Sequence, residues 1–296
     1  MKIYAFVVTF NRLELLKRVV ECIRNQTYKL EKIIVVNNSS TDGTSKWLEQ
    51  QSDLYVITQD NLGGAGGFHS GVKYCYEDGA DWIWMMDDDV FPEKDCLENL
   101  LKYGNISPCL NMYRTYSDGI TVPCPYWYYQ PDAKNSEHYD SRTDCEYVKM
   151  IDGVCFEGLL VNRKLVSQLG YPDKDFFVAG DDTTYGYRAA KICTPILVKS
   201  ARAVRYAKST DNGLRPLTTY YAIRNRHLIK KYNRMYNLDI PISAKGIYYF
   251  YLPIKRIVVY LRDSSDINKK LMKSVLWGIL DNIKKLTGST YFNHKI

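Results

Sequence analysis

The sequence predicts an α/β fold in which a mostly parallel central sheet is flanked by helices and followed by a basic helical extension. Short apolar runs typical of buried strands alternate with segments of helical periodicity through the first 90 residues. Charge is divided as well. Residues 1–215 contain 25 Lys/Arg and 29 Asp/Glu, whereas residues 216–296 contain 15 and 4. We therefore expect a ligand-binding domain at 1–215 and a separate helical region at 216–296.

The first strands and helices follow from simple periodicity. Strands are predicted at 2–8, 32–36 and 54–58. Helices are expected at 13–25, where apolar residues recur at helical spacing, and at about 44–51, after a polar turn. In a parallel sheet of this kind, ligands bind beyond the carboxyl ends of the strands, where these polar turns gather.

A glycine-rich segment follows the third strand. Residues 63–71 contain five glycines in nine positions, which would let the backbone approach a ligand closely before a helix that runs to about Asp78. The segment lacks the Gly-Lys-Ser/Thr of a nucleotide-binding loop, and His69 stands where a dinucleotide fingerprint has glycine. A flexible turn is the alternative interpretation.

Three consecutive aspartates, Asp87, Asp88 and Asp89, follow an apolar run at 82–86 that is typical of a strand buried on both faces. Carboxylate oxygens suit Mg²⁺ or Mn²⁺, which keep open positions for substrate phosphates. An acidic turn that caps the next helix would give the same residues. The buried strand before them favours a metal site.

A second acidic pair, Asp181 and Asp182, follows the apolar residues 176–179 and is a candidate general base. One of the two could equally cap a helix beginning near Thr183. Before this pair, the stretch 105–150 has little periodicity and is rich in aromatic residues, which suit sugar rings. A strand is predicted at 153–161 and a short helix at 163–169.

The C-terminal part is predicted to contain a strand at 195–206, a basic helix at 218–236, an amphipathic segment at 244–262 interrupted by Pro253, and a helix at about 268–286. Aromatic and basic residues around an apolar face are typical of a helix lying on a membrane surface. Packing against the main domain or a second subunit would produce the same pattern, and the basic charge could simply be a solvated face.

Composition favours a cytoplasmic protein. Eight cysteines occur without a C-x-x-C pair, as expected for reduced thiols rather than a zinc site or a disulfide scaffold. No uncharged apolar run reaches the roughly 18 residues of a membrane span, and the N-terminus lacks the pattern of a signal peptide. A nucleic-acid partner is not expected, because the basic tail contains no recognised motif order.

Several motifs now combine into a family resemblance. VVTFNR, NNSSTDGT, DNLGGAGGF, MMDDDV and AGDDTTYGYRA occur in this order, followed by Tyr-Tyr-Ala-Ile-Arg-Asn at 220–225. Together they resemble glycosyltransferase family 2, and in particular the bacterial galactofuranosyltransferases. The resemblance covers about 1–226. It implies a GT-A fold (Rossmann-like, with a mostly parallel central sheet), an inverting mechanism, a nucleotide-sugar donor and a divalent metal.

The resemblance also assigns residues. The nucleotide-sugar pocket would be lined by Thr9, Phe10, Arg12, Asn38, Asp42, Asn61, Gly64, Gly66, Gly67, Asp87 and Asp88. Asp87 and Asp89 would hold Mn²⁺ or Mg²⁺. Asp182 would be the catalytic base, and Asp181 would orient acceptor hydroxyls. One position departs from the family: Tyr206 stands where related enzymes have a metal-binding histidine, so we expect weaker metal binding. Either the two aspartates and water suffice for the metal, or Arg205 or Lys208 supplies charge near the diphosphate instead.

The expected donor is UDP-galactofuranose, with dTDP-rhamnose as the alternative. The expected acceptor is an oligosaccharide or lipid-linked glycan of a capsule or cell wall at the inner face of the plasma membrane, and a homo-oligomer is a further expectation for the helical region. A non-catalytic carbohydrate- or membrane-binding subunit of the same fold is the competing hypothesis. Retention of Asp87, Asp89 and Asp182 together argues against it.

Overall fold

The molecule is built on a nine-stranded mixed sheet, seen in a computed structural model that describes residues 1–122, 146–150, 154–208, 210, 215–240, 247–291 and 294. The strands are β1 (Ile3–Thr9), β2 (Lys32–Asn37), β3 (Leu54–Thr58), β4 (Trp82–Asp87), β5 (Val90–Pro92), β6 (Cys109–Tyr116), β7 (Tyr147–Lys149), β8 (Leu160–Asn162) and β9 (Ile196–Arg205). The helices are α1 (Leu13–Arg24), α2 (Thr44–Leu48), α3 (Gly63–Glu77), α4 (Cys96–Leu101), α5 (Arg163–Leu169), α6 (Asp181–Ile192), α7 (Pro216–Arg224), α8 (Arg226–Tyr236), α9 (Ile247–Arg262) and α10 (Asp266–Ile283).

The strand order is β3-β2-β1-β4-β8-β6-β9-β5, and β7 pairs with β9. The first four strands along the chain form a continuous parallel unit, β3-β2-β1-β4. Beyond β4 the sheet is mixed, because β8 runs antiparallel to both β4 and β6. The predicted α/β class is confirmed. The strands that are followed by polar residues belong to the parallel half of the sheet.

Helices cover both faces of the sheet. Alternate residues of β1 point to opposite sides: Phe6 packs in a core with α3, α5 and α6, whereas Val7 packs in a core with α1 and α4. Every residue of β1 is therefore buried. This two-sided burial explains why the predicted strands appear in the sequence as continuous apolar runs.

Two strand predictions need correction. The predicted strand at 153–161 is confined to β8, because the backbone turns at Gly158 (φ +81) before the strand begins. Conversely, β6 lies within the stretch that showed little periodicity. It carries buried polar residues, Asn111 and Arg114, which are paired with Cys155 O and Glu157 and so break the apolar pattern. The aromatic residues predicted as sugar contacts at 126–129 and 139 lie outside the described residues.

The C-terminal helices also differ from prediction. The single helix expected at 218–236 is divided into α7 and α8 at Asn225, whose side chain binds backbone carbonyls elsewhere in the fold. The helix α9 continues through Pro253 without interruption. A proline inside a helix removes one hydrogen bond, and α9 lies against α10. Among the described residues, none of the helices combines the length and apolarity needed to cross a membrane.

Candidate active site

A cleft of about 320 Å³ opens at the carboxyl ends of β1, β2 and β4. These strands are parallel neighbours, so their ends meet at one edge of the sheet. The cleft is lined by Val8, Thr9, Phe10, Arg12, Asn38, Asn61, Gly63, Gly64, Asp87, Asp88, Phe177, Val178 and Leu217. Eight of the eleven residues predicted for the nucleotide-sugar pocket are in this set.

Asp88 anchors the floor of the cleft. Its carboxyl is buried and accepts hydrogen bonds from Thr9 Oγ1 at 2.8 Å and from Arg12 Nη1 at 3.0 Å. The same guanidinium group lies 3.2 Å from Asp89. Burial raises the pKa of Asp88 to about 6, although Arg12 and Thr9 oppose this shift. Arg12 thus partly neutralises two adjacent carboxyls. These contacts account for the aspartates without the alternative interpretation, in which they form a turn that caps the next helix.

Asp87 has a second acidic neighbour that the sequence analysis missed. Burial raises its pKa well above the ordinary value, and Glu157 adds to this shift more than Asp89 does. Glu157 forms ion pairs with the buried Arg114 and, at 3.4 Å, with Arg205. A charged residue inside the apolar run 153–161 was the signal that could have revealed it.

The turn at Gly158 brings Glu157 to this position. Gly158 N donates to Met85 O at 2.9 Å, and Trp84 Nε1 donates to Gly158 O at 3.2 Å. A side chain at Gly158 would collide with Met112. The turn is therefore held against the last residues of β4, next to Asp87.

The glycine-rich segment is the first part of helix α3 rather than a loop before it. Gly63 has φ +71, and a Cβ there would lie 2.1 Å from Phe177 O. A Cβ at Gly66 would meet Leu62, and one at Gly67 would lie 2.3 Å from Val8 Cγ1. Only Gly64 faces open space within this group. Gly66 and Gly67 are thus explained by close packing of the helix, whereas Gly64 lines the cleft.

Asp42 also lies outside the set that lines the cleft. Its two carboxylate oxygens accept hydrogen bonds from Leu13 N at 2.9 Å and from Thr44 Oγ1 at 2.6 Å. Burial raises its pKa, and these hydrogen bonds outweigh burial and lower it. Asp42 connects the first residues of α1 and α2. Its assignment to nucleotide binding stays a prediction.

Asp181 and Asp182 are the first two residues of α6, and Ala179 lies just before them in the chain. They are not among the residues lining the cleft, but Phe177 and Val178, in the segment leading to them, are. Burial, followed by the neighbouring Asp182, raises the pKa of Asp181 to about 8. Asp182 is partly exposed, and its Oδ1 accepts a hydrogen bond from Thr183 N at 2.6 Å.

Tyr206 is next to the aspartate cluster through its backbone. Tyr206 N donates to Asp89 O at 2.7 Å, whereas its ring is 56% exposed and packs edge-on against Phe91. Within the described part of the chain, no three His, Cys, Asp or Glu side chains are grouped so as to hold a metal ion. Carboxylate oxygens such as those of Asp87 and Asp89 are the donors that Mg²⁺ and Mn²⁺ prefer, and the assignment of these two residues as metal ligands stays a prediction.

The fold and the acidic cleft define a class of protein, the glycosyltransferases with a GT-A fold. Residues 4–156, just over half of the chain, match the family described as Glycosyl transferase family 2. The chain belongs to this family and is a glycosyltransferase.

Individual relatives support the same subgroup. The chain is 28% identical to galactofuranosyltransferase GlfT1 of Mycolicibacterium smegmatis over 258 residues, which cover 80% of this chain and 83% of the relative. It is 28% identical over 191 residues to GlfT1 of Mycobacterium tuberculosis, covering 61% of this chain and 62% of that protein. The resemblance to the galactofuranosyltransferases is thereby confirmed.

Solved structures share the fold. The structure of residues 1–349 of TarS from S. aureus superposes with a TM-score of 0.59 at 14% identity, covering 95% of this chain and 89% of that one. The chain spans 54% of the longer TarS structure. A mannosyltransferase from Pyrobaculum calidifontis, in complex with GDP-Man and Mn²⁺, superposes with a TM-score of 0.53 at 13% identity, covering 95% and 87%.

Substitutions at Gly67 and Gly64 distinguish a glycine needed for packing of the core from one that lines the cleft. We expect Gly67→Ala to lower the free energy of unfolding by about 1–3 kcal/mol, because its methyl group must displace Val8 in the core. Gly64→Ala meets no atom within 4 Å and should leave stability unchanged or slightly raised. Because Gly64 lines the cleft, the added methyl group should instead weaken binding of the nucleotide predicted to occupy it, for which UDP is the probe. Urea unfolding and UDP titration of both variants measure this, and equal loss of stability in both would contradict it.

The raised pKa of Asp181 predicts a pH-dependent stability. In the unfolded chain this carboxyl ionises near pH 4, whereas the folded chain keeps it protonated until about pH 8. Stability is therefore lost as the pH rises between these values. We expect the melting temperature of Asp181→Asn, relative to the unmodified protein, to increase steadily over this range. Asp239→Asn, at an exposed aspartate, is the control for removing one negative charge from the surface. If the difference in melting temperature between Asp181→Asn and the unmodified protein did not change with pH, the raised pKa of Asp181 would be refuted.

Proposed function

We propose that this chain is an inverting glycosyltransferase that transfers galactofuranose from UDP-galactofuranose to a hydroxyl group of a growing lipid-linked cell-surface or capsular glycan. The observation that carries this proposal is the cleft at the ends of β1, β2 and β4, where Thr9, Arg12 and Asp88 form one hydrogen-bonded unit. The similarity to GlfT1 over four fifths of the chain supports galactofuranose as the sugar.

In this mechanism Thr9, Asn38 and Asn61 line the wall that receives the nucleotide. A divalent ion held by Asp87 and Asp89 would supply positive charge beside the diphosphate. Arg12, already within 3.2 Å of Asp88 and Asp89, adds a fixed positive charge on the same side. Asp182 removes the proton from the acceptor hydroxyl, whose oxygen attacks the anomeric carbon as the bond to the diphosphate breaks. Asp181, protonated near neutral pH, can donate a hydrogen bond to an acceptor oxygen.

Two other functions compete with this one. A rhamnosyltransferase would use the same cleft for dTDP-rhamnose, since the motifs of the cleft are common to both groups of enzymes. A binding subunit of the same fold would retain the cleft without turnover. The similarity to the galactofuranosyltransferase GlfT1 over four fifths of this chain favours an enzyme.

The C-terminal helices are proposed to contact an anionic membrane surface. Residues 247–291 contain eight Lys/Arg and three Asp/Glu. Exposed aliphatic side chains follow one another at helical spacing on α9 (Ile254, Ile257, Val258, Leu261) and α10 (Leu276, Leu280, Ile283). Basic residues beside an apolar stripe match the chemistry of an anionic bilayer. A second copy of the chain is the alternative partner, and sedimentation with anionic and neutral vesicles separates the two.

The catalytic proposal is tested with Asp182→Asn. We expect transfer to fall by at least about 100-fold, the lower range for loss of a general base, while UDP binding persists because the nucleotide wall is intact. Transfer is measured by mass detection of the extended glycan, with UDP-galactofuranose and dTDP-rhamnose supplied in parallel. Product from the rhamnose donor alone would replace the sugar assignment, and no product or released nucleotide from either donor would favour the binding subunit.

Metal binding is tested at Tyr206. We expect Mn²⁺ to bind weakly to the unmodified protein, because a neutral phenol is a poor ligand, and Tyr206→His to bind it more tightly. Calorimetric titration with Mn²⁺, with and without UDP, gives both affinities. Tyr55→His, at an exposed tyrosine on β3, is the control for a histidine elsewhere on the surface. Tight binding to the unmodified protein, or no gain in Tyr206→His, would contradict the prediction.

A further inference from the structure

A strained turn immediately precedes the acidic pair at α6. Phe177 has φ 64 and ψ −58, and Val178 N donates to Phe176 O at 2.8 Å, which defines a γ-turn with positive φ at its central residue. This form of γ-turn is rare and strained. Ala179 (φ +68) and Gly180 (φ +100) continue in the left-handed region. Non-glycine residues in such conformations are strained and persist only where the surroundings hold them.

Asn225 holds this turn from the junction of α7 and α8. Its side chain is fully buried, and Nδ2 lies 3.0 Å from Phe176 O, 2.9 Å from Val178 O and 2.7 Å from Ala179 O. Three carbonyl oxygens around one atom fix the orientation of the amide, since the opposite orientation would place Oδ1 against them. Asn225 Oδ1 is buried without a hydrogen-bond partner in the described structure. Leaving a buried acceptor without a partner is unfavourable.

Arg224 connects the same turn to the end of the chain. Its guanidinium group is fully buried, and it donates to Asp175 O at 3.0 Å and Phe176 O at 3.2 Å on one side. On the other side it donates to Leu286 O at 3.1 Å and Gly288 O at 2.7 Å, just after α10. The C-terminal helices are thereby fastened to the backbone that leads to Asp181 and Asp182.

The turn also borders the donor cleft. Phe177 O accepts a hydrogen bond from Ala65 N at 3.0 Å, and the Phe177 ring stacks on Tyr221 with centroids 4.8 Å apart. Phe177 and Val178 line the cleft itself. One short segment therefore forms part of the donor wall and leads directly into the predicted catalytic base.

We propose that Arg224 and Asn225 are positioning residues that hold the turn at 176–180 and thereby aim Asp182 at the acceptor hydroxyl. This inference rests on the proposed function for the role of Asp182. The hydrogen bonds themselves need no such assumption, because backbone carbonyls at 176, 178 and 179 are bound whatever the chain transfers.

The decisive variant is Asn225→Asp, which keeps the shape of the side chain but places a carboxylate against three carbonyl oxygens. Hydrogen exchange followed by mass spectrometry gives a readout independent of activity. We expect faster exchange in peptides covering 174–182 and the start of α3, and unchanged exchange in β3. Asn233→Asp is the matched control: Asn233 lies on α8 and donates to Ile240 O at 2.9 Å rather than to a carbonyl of the turn.

Kinetics complete the test. We expect Asn225→Asp to lower kcat about 100-fold, the effect of displacing a reacting group by about 1 Å, with a much smaller change in the KM for the donor. In an Asp182→Asn background the same substitution should cost little more, because both act through one carboxylate. If Asn225→Asp does not fold, Asn225→Ser retains a hydroxyl donor and should give an intermediate loss.

Unchanged exchange at 174–182, unchanged kcat, or full additivity with Asp182→Asn would each overturn the inference. These outcomes differ from failure of the proposed function, in which the unmodified protein transfers no sugar at all. Faster exchange at 174–182 in a protein that transfers nothing would keep the positioning of the turn and remove only the role of Asp182 as a glycosyltransferase base.

Discussion

The buried carboxyl group of Asp88 fixes the edge of the sheet on which the cleft is built. The parallel register pairs Val8 with Asp87, so the next residues, Thr9 and Asp88, lie side by side where β1 and β4 end. Thr9 and Arg12 bind different oxygens of this carboxyl. A buried carboxyl that loses its partners is strongly destabilising. Arg12 stands immediately before α1, so the same interaction fixes where that helix leaves the sheet.

Crowded acidic groups at one strand end are costly, and the chain offsets the cost with arginines drawn from distant segments. Arg12 neutralises Asp88 and Asp89 from the N-terminal side. Arg114 and Arg205 neutralise Glu157, the acidic neighbour of Asp87, from β6 and β9. Of these three arginines, Arg12 lines the cleft, whereas Arg114 and Arg205 act behind it through Glu157. The acidic centre of the cleft is therefore neutralised from within and from behind.

The parts of this structure that could be predicted from the sequence are those with local signals. Strands buried on both faces leave apolar runs, and the first four strands were predicted within one or two residues for that reason. The polar residues after β1, β2 and β4 gather because parallel strand ends must share an edge. Family resemblance added roles to Thr9, Asn38 and Asn61, which do line the cleft.

What escaped prediction depends on partners far apart in the chain. The strand β6 was not predicted because Asn111 and Arg114 interrupt its apolar pattern. Their partners, at 155 and 157, lie too far along the chain to be found from local periodicity. Gly66 and Gly67 were expected to approach a ligand, but the reason for them is contact with Leu62 and Val8. Glycine permits close approach of any group, and sequence alone does not say which group approaches.

The segment 176–180 connects the cleft, which Phe177 and Val178 line, to the acidic pair at the start of α6. Its backbone is bound on one side by Ala65 at the start of α3 and on the other by Asn225 between α7 and α8. Tyr220, in α7, is in turn bound to Asp281 of α10. The C-terminal helices therefore do more than offer a basic surface. Because they share a rigid hydrogen-bonded backbone with the cleft, changes within them can alter the position of the acidic pair without touching a substrate.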